Sequence, residues 1–278
     1  MGKALTSDQI ERYKQEGFLS PIDVLTADKA SRFRDALESY EKSEGHPIQG
    51  SARSKSHLLF TWADELIRIP RLLDAVEDII GPDILCWNTL WWIKEPQSNS
   101  FVSWHQDTRY WGLDTDELIT AWVALSPATE ESGCMKVLPG SHMGEVFPHS
   151  DEYNDNNLLT RGQEISTPID ESKTTFMALQ TGQVSLHNVR IAHASGKNRT
   201  LDRRIGLSIH YIRPDARQLK SEWDSASLVR GKDRFNHFEH APRPQVDLDK
   251  SAVNYHKKAS NTFREILFKG AVQKRSVL

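Results

Sequence analysis

After Gly81-Pro82 the chain becomes a succession of short strand-forming runs, and this constrains the fold more than any other feature. Residues 84–93 (ILCWNTLWWI), 101–111, 118–125 (LITAWVAL), 133–138, 174–179, 183–187 and 204–212 are rich in aromatic and β-branched residues. Turn signals such as Pro139-Gly140 and Gln180-Thr181-Gly182 separate them. Short strands joined by irregular loops favour an antiparallel sandwich or barrel. The last run also defines its faces, because Arg204, Gly206, Ser208 and His210 alternate with Ile205, Leu207, Ile209 and Tyr211. In a sandwich the polar face would meet solvent; in a barrel it would line a cavity.

The first 81 residues read as helical. Thr6-Ser7-Asp8-Gln9 has the spacing of a capping box, and Gly17 is the matching stop signal. A second helix follows Thr26 with Ala30, Phe33, Leu37 and Tyr40 on one face. Residues 62–80 form a third helical stretch, divided by Pro70 and ended by Gly81. These helices are expected to pack outside the sheet. Beyond Pro214 the chain is mixed and ends in a helical pattern over 251–271. The expectation is one domain over 1–278: a mainly helical flank (1–81), a barrel core (82–213) and a C-terminal lid or brace (214–278).

A formal net charge of -3 with 26% charged residues gives no electrostatic footprint for nucleic acid. No apolar run approaches the roughly 18 residues of a membrane span, and the N-terminus lacks a signal-peptide core. Cys86 and Cys134 form no Cys-X-X-Cys pattern, so a reducing compartment fits best. The expectation is a cytoplasmic protein whose partner is a small molecule, with neither nucleic acid nor membrane, and with its oligomeric state open.

The run FVSWHQDTRYWGL carries His105 and Asp107. The run reads as a strand, on which residues i and i+2 share a face, so the two side chains converge and make a candidate metal-ligand pair. A polar pair at a strand end is the plain alternative. Two histidines and a carboxylate make the facial triad of non-haem iron(II) oxygenases, so a further histidine is needed. The candidates downstream are His142, His149, His187, His193, His210, His237, His240 and His256. His193 stands out because it opens the run H-A-S-G-K-N-R-T, which leads to Arg204 at the start of the polar-faced strand.

Taken together, W-H-Q-D at 104–107, A-W-V-A-L from Ala121, E-S-G-C-M-K-V-L-P-G-S-H ending at His142, and H-A-S-G-K-N-R-T followed by Arg204 resemble the phytanoyl-CoA dioxygenase family of iron(II)- and 2-oxoglutarate-dependent oxygenases. The resemblance implies a mainly β fold with flanking helices, a double-stranded β-helix (jelly-roll, cupin-like) barrel. It implies His105, Asp107 and His193 as iron ligands and Arg204 as the receiver of the distal carboxylate of 2-oxoglutarate, since a guanidinium bonds a carboxylate in two places. Ser195 is similar to the family's hydroxyl beside that carboxylate, and Asn88, Lys55 and Trp122 occupy stretches where further cosubstrate contacts are expected. The implied reaction couples decarboxylation of 2-oxoglutarate to hydroxylation of an unactivated carbon. The carboxylate at Asp107 implies hydroxylation over halogenation, which needs a small residue there.

For the substrate, Tyr110 and Trp111 offer aromatic faces, Arg109, Arg161 and Arg203 offer charge, and His187 is a pocket or neighbouring histidine. W-H-Q-D-T-R-Y-W-G-L with R-G-Q-E also resembles the branch that includes 2-aminoethylphosphonate hydroxylases, which implies a small zwitterion. A natural-product scaffold is the main competitor. A metal-binding barrel without turnover and a zinc hydrolase are the readings from other classes.

Overall fold

The computed structural model describes residues 2–271, so Met1 and the last seven residues of the 214–278 segment lie outside the described residues. In chain order the first elements are α1 (Ser7–Glu16), β1 (Phe18–Asp23), α2 (Ala27–Glu44), α3 (Thr61–Leu66), α4 (Pro70–Ile80), β2 (Ile84–Lys94) and β3 (Val102–His105). Next come α5 (Thr108–Trp111), β4 (Leu118–Ala124), β5 (Met135–Val137), β6 (His149–Asp151), β7 (Gln163–Ile165), β8 (Thr175–Phe176) and β9 (Gln183–Asn188). The chain closes with β10 (His193–Ser195), β11 (Arg204–Ile212), β12 (Ser225–Arg230), β13 (Glu239–His240) and α6 (Lys250–Phe268).

Local sequence sets the helix ends. Thr6 accepts from the Gln9 N–H while the Gln9 side chain accepts from the Thr6 N–H, and Gly17 stops α1 at φ 82°. Pro70 opens α4 at its first turn, where no N–H is required, and Gly81 ends it. The apolar stripes of α2, α3 and α4, including Phe33, Leu37, Leu66, Leu72 and Val76, share one core with Ile119, Val123, Leu186, Ile205, Leu207, Ile209 and Tyr211. The helices therefore cover the outer face of the sheet.

The large sheet runs β1-β9-β4-β11-β2-β12-β13, and a second runs β3-β10-β5-β8. Every pairing is antiparallel except β12 with β13. This is a mainly β double-stranded β-helix with flanking helices. Its two sheets are not joined into a closed hydrogen-bonded barrel, so it is a squashed jelly roll with a cavity between the layers. The large sheet also draws on residues outside 82–213, because β1 precedes the helices and β12 and β13 follow Pro214. No helix among the described residues is long and apolar enough to cross a membrane.

The run 101–111 is not one strand. β3 stops at His105, and Asp107 has helical dihedrals (φ -64°, ψ -37°) leading into α5. The ladder ends because the Gln106 N–H donates to His149 Nε2 at 3.0 Å, and its side-chain amide is taken by Arg190 O and the Phe147 N–H. A turn, not strand periodicity, therefore brings Asp107 beside His105, contrary to the expectation of one continuous strand.

Gly206 stands in β11 beneath the Trp122 ring, where an added Cβ would lie 1.8 Å from Trp122 Cζ2. Gly206→Ala should displace Trp122 and lower stability by about 1–3 kcal/mol, as overpacking does. A urea denaturation midpoint unchanged from the parent would contradict this packing.

Candidate active site

The cavity between the sheets, about 80 Å³, is bounded by β2, β4, β9 and β11 on one side, by β3, β5 and β10 on the other, and by Phe263 and Leu267 of α6. His105 and His193 face each other across the β3–β10 ladder as register partners, with ring centroids 4.1 Å apart. His105 Nε2 lies 3.4 Å from Asp107 Oδ1, and one donor atom from each of the three residues lies within 4.8 Å of the others. Each imidazole is aimed by its other nitrogen: Nδ1 of His105 meets Ser103 O at 2.9 Å, and Nδ1 of His193 meets Ile191 O at 3.0 Å. A carbonyl can only accept, so Nδ1 carries the proton and Nε2 keeps its lone pair for the cavity.

Electrostatics prepare the same atoms. Burial, reinforced by the neighbouring His105, pushes His193 down to about 4. Burial opposes ionisation of Asp107, but the adjacent His105 and the other surrounding imidazoles outweigh it and hold the carboxyl well below the usual range. At neutral pH His193 is a neutral ligand and Asp107 an anionic one, the states that metal binding requires. Two nitrogens and one carboxylate on one side of a cavity fit a divalent iron ion with open positions for other ligands.

Arg204 lies at the start of β11, 2% exposed, with its guanidinium 5.2 Å from the Trp122 ring centroid. Nη1 donates to Gly133 O at 2.8 Å, Nε has no partner, and no carboxylate among the described residues pairs with it. Burial pushes its pKa down to about 10, so it remains a cation short of an anion. Ser195 and Trp122 line the cavity beside it. That fits the carboxylate of a cosubstrate.

The remaining residues singled out in the sequence divide. His187 and Trp111 line the cavity, with the His187 ring 5.1 Å from His193. Asn88 is fully buried, sits opposite His210 in the sheet and leaves both side-chain polar atoms unpartnered. Lys55 is directed elsewhere: its buried ammonium donates to Trp87 O and Ser225 O and lies 3.9 Å from Asp224. Arg109 is exposed. Arg203 is held by Glu38, Glu41 and Glu95 at the surface of the helical flank. Arg161 pairs with Asp151 at 2.9 Å, donates to Leu267 O and Lys269 O at the end of α6, and lies over the Tyr110 ring, away from the cavity lining.

Sequence reasoning missed several wall residues. Arg53 lines the cavity from what reads as a solvated basic loop; it donates to Trp91 O, and no carboxylate is among the groups that perturb it. Thr120 also lines it, with its Oγ1 unpartnered. His210, read in the sequence as part of the polar face of β11, lines the cavity as that pattern implied for a barrel, and its Nδ1 is unpartnered. Phe263 and Leu267 carry only the i, i+4 spacing of an ordinary packed helix.

A two-layer jelly roll with this triad and an unpaired arginine defines a non-haem iron oxygenase. The profile of the phytanoyl-CoA dioxygenase family matches residues 4–206. A solved non-haem monooxygenase, ThoJ in its apo form, superposes with a TM-score of 0.84 at 35% identity, covering 96% of this chain and all of that one. Among curated proteins, the probable α-ketoglutarate-dependent hypophosphite dioxygenase of Stutzerimonas stutzeri is 31% identical over 64% of this chain, and the match spans 62% of that protein, somewhat under two thirds of it. The peroxisomal phytanoyl-CoA dioxygenase of Rattus norvegicus is 27% identical over 81% of this chain and 73% of its own. The chain belongs to the phytanoyl-CoA dioxygenase family. It is an iron(II)- and 2-oxoglutarate-dependent dioxygenase acting on a small molecule.

Arg161→Ala should leave Asp151 unpaired and free the end of α6, costing about 1–3 kcal/mol locally. Hydrogen exchange should then quicken together in residues 151–165 and in the last turn of α6; acceleration confined to the loop would mean that Arg161 does not tie the two.

Proposed function

We propose that His105, Asp107 and His193 hold the iron, that Arg204 and Ser195 receive the distal carboxylate of 2-oxoglutarate over Trp122, and that the enzyme hydroxylates an unactivated carbon of a compact polar molecule. One observation carries the reading: three convergent donors share a cavity with a buried guanidinium that lacks a counter-ion. With iron bound, 2-oxoglutarate and molecular oxygen would supply the oxidation, carbon dioxide leaving as one oxygen atom passes to succinate and the other to the substrate carbon. The chain's own part is positional. Ser103 O and Ile191 O orient the imidazoles, the aromatic walls exclude bulk water, and the target carbon is held near the three donors.

For the substrate we carry the reading of a small zwitterion with an anionic head, of which 2-aminoethylphosphonate is the example. Its anionic head needs a cation, and the arginines expected for that task are exposed or committed, so Arg53 is the group that suits it. Trp92 and Trp111 provide aromatic faces for an ammonium. The likeness to a hypophosphite dioxygenase supports a phosphorus oxyanion in the same class. The narrow cavity under α6 favours compact molecules over an acyl-coenzyme A ester or a large natural product. We also propose a cytoplasmic location, which the two free, buried thiols of Cys86 and Cys134 support.

Two measurements test this reading. His105→Ala should abolish tight iron(II) binding by anaerobic calorimetry and lower substrate-dependent succinate release by at least about 10³-fold; iron binding that persists would remove His105 from the ligand set. Across aminophosphonates, amino acids, betaines and acyl-coenzyme A esters, succinate release should rise above background with aminophosphonates. Stimulation by another class alone would discard the zwitterion and keep the enzyme.

A further inference from the structure

Lys94 ends β2 directly opposite Arg204 in the β2–β11 ladder, and it is 0% exposed. Its ammonium donates to Ser195 Oγ at 2.7 Å, to Gly133 O at 3.2 Å and to Gly196 O. Three donors meet three oxygen acceptors, so the group is fully hydrogen-bonded as a cation. It is not neutralised, however, because no carboxylate among the described residues pairs with it. Arg204 Nη1 grips the same Gly133 carbonyl at 2.8 Å, so two buried basic groups share one acceptor. Burial, then the adjacent Arg204, disfavour the charged form and push Lys94 down to about 6, so the three oxygen acceptors alone do not hold its charge at neutral pH and an anion bound beside Arg204 would restore it. A fold seldom buries two like charges together unless an anion completes them.

Lys94 is absent from the cavity lining, whereas Ser195 and Arg204 are part of it. The ammonium therefore acts through its neighbours. With a Ser195 lone pair occupied by Lys94, the Ser195 hydroxyl proton is directed to another acceptor, and the cavity side is where one is missing. The Gly133 carbonyl accepts from both Lys94 and Arg204, and the Gly196 carbonyl accepts from Lys94.

We propose that Lys94 is a positioning residue for the cosubstrate: by fixing Ser195, Gly133 and Gly196 and backing Arg204 with a second positive charge, it makes the site selective for 2-oxo acids with a second carboxylate. This rests on the reading of Arg204 as the anchor of 2-oxoglutarate and deepens it by naming what sets dicarboxylate preference.

The test compares 2-oxoglutarate with 2-oxobutyrate, which lacks the distal carboxylate, by anaerobic calorimetry on the full-length iron(II) protein and by steady-state kinetics. Lys94→Met should weaken 2-oxoglutarate binding by roughly 10- to 100-fold and raise its KM in step. Binding of 2-oxobutyrate, and kcat at saturating 2-oxoglutarate, should stay within about threefold of the parent. Lys94→Arg should recover part of the affinity. A purely structural strut would instead weaken both acids equally, and that outcome, or unchanged 2-oxoglutarate affinity, overturns the proposal. Should Lys94→Met fail to fold, Ser195→Ala decides: loss of the dicarboxylate preference supports the arrangement, and full retention sinks it. Arg204→Met separates the two levels. If it leaves 2-oxoglutarate affinity intact the anchor reading itself falls; if it alone destroys affinity while the Lys94 and Ser195 variants do not, only the present inference falls.

Discussion

Strand β11 lies between β4 and β2 with all nine of its residues buried, yet its two faces are buried against different things. Ile205, Leu207, Ile209 and Tyr211 pack on the helical flank, where each apolar side chain withdrawn from water contributes about 1.5–3 kcal/mol. Arg204, Ser208 and His210 point the other way, into the cavity. The apolar face sets the register, and the register places the polar face. Slipping β11 by one residue would move Arg204 and His210 into the helix-facing core. Stability on one side of the sheet thus maintains chemistry on the other.

The same ladder lines up Asn88, His210, Thr120 and His187 as successive partners across β2, β11, β4 and β9. Each has a buried polar atom without a protein partner. Unsatisfied groups of this kind cost about 1–3 kcal/mol each, which a folded protein tolerates where ligands or water complete them. Opposite the row, the short β3–β10 ladder presents His105 and His193. Polar groups on both sheets therefore meet in one space, held by strand backbone and not by loop tips, an arrangement that keeps catalytic geometry fixed.

Much of this was legible in the sequence, for identifiable reasons. The strand runs, the caps at Thr6 and Gly17, the break at Pro70 and the two-faced pattern of β11 are local signals, and local physics decides them. The convergence of His105, Asp107 and His193 was legible as motif. Its mechanism was not, because the bond from the Gln106 N–H to His149 that ends β3 joins residues far apart in sequence. Arg53 and Lys55 show the same limit. In a basic polar stretch they look alike, but the bridge of Ser54 to Leu90 presses the segment onto β2, sending Arg53 to the cavity and Lys55 into a buried contact with Asp224. Lys94 was invisible for another reason: a charged residue at a strand end reads as a solvated terminus until the β2–β11 register sets it beside Arg204.

The cavity wall draws on two parts of the chain, and only one of them carries motifs. The three convergent donors, Ser195, Arg204 and Trp122 all fall within residues 4–206, the span that matches the family. Phe263 and Leu267 fall outside it and close the cavity from α6. That helix is tied across the mouth by Arg161, which bonds Asp151 and the last carbonyls of α6 at once. Convergent donors and a buried guanidinium call for particular residue types at particular positions, so those residues carry a recognisable pattern. A substrate wall need only match one molecule in shape, and apolar contacts from a packed helix can do so with no residue that differs from ordinary core. Phe263 and Leu267 consequently look like ordinary core in the sequence, and only the packing of α6 against the cavity distinguishes them.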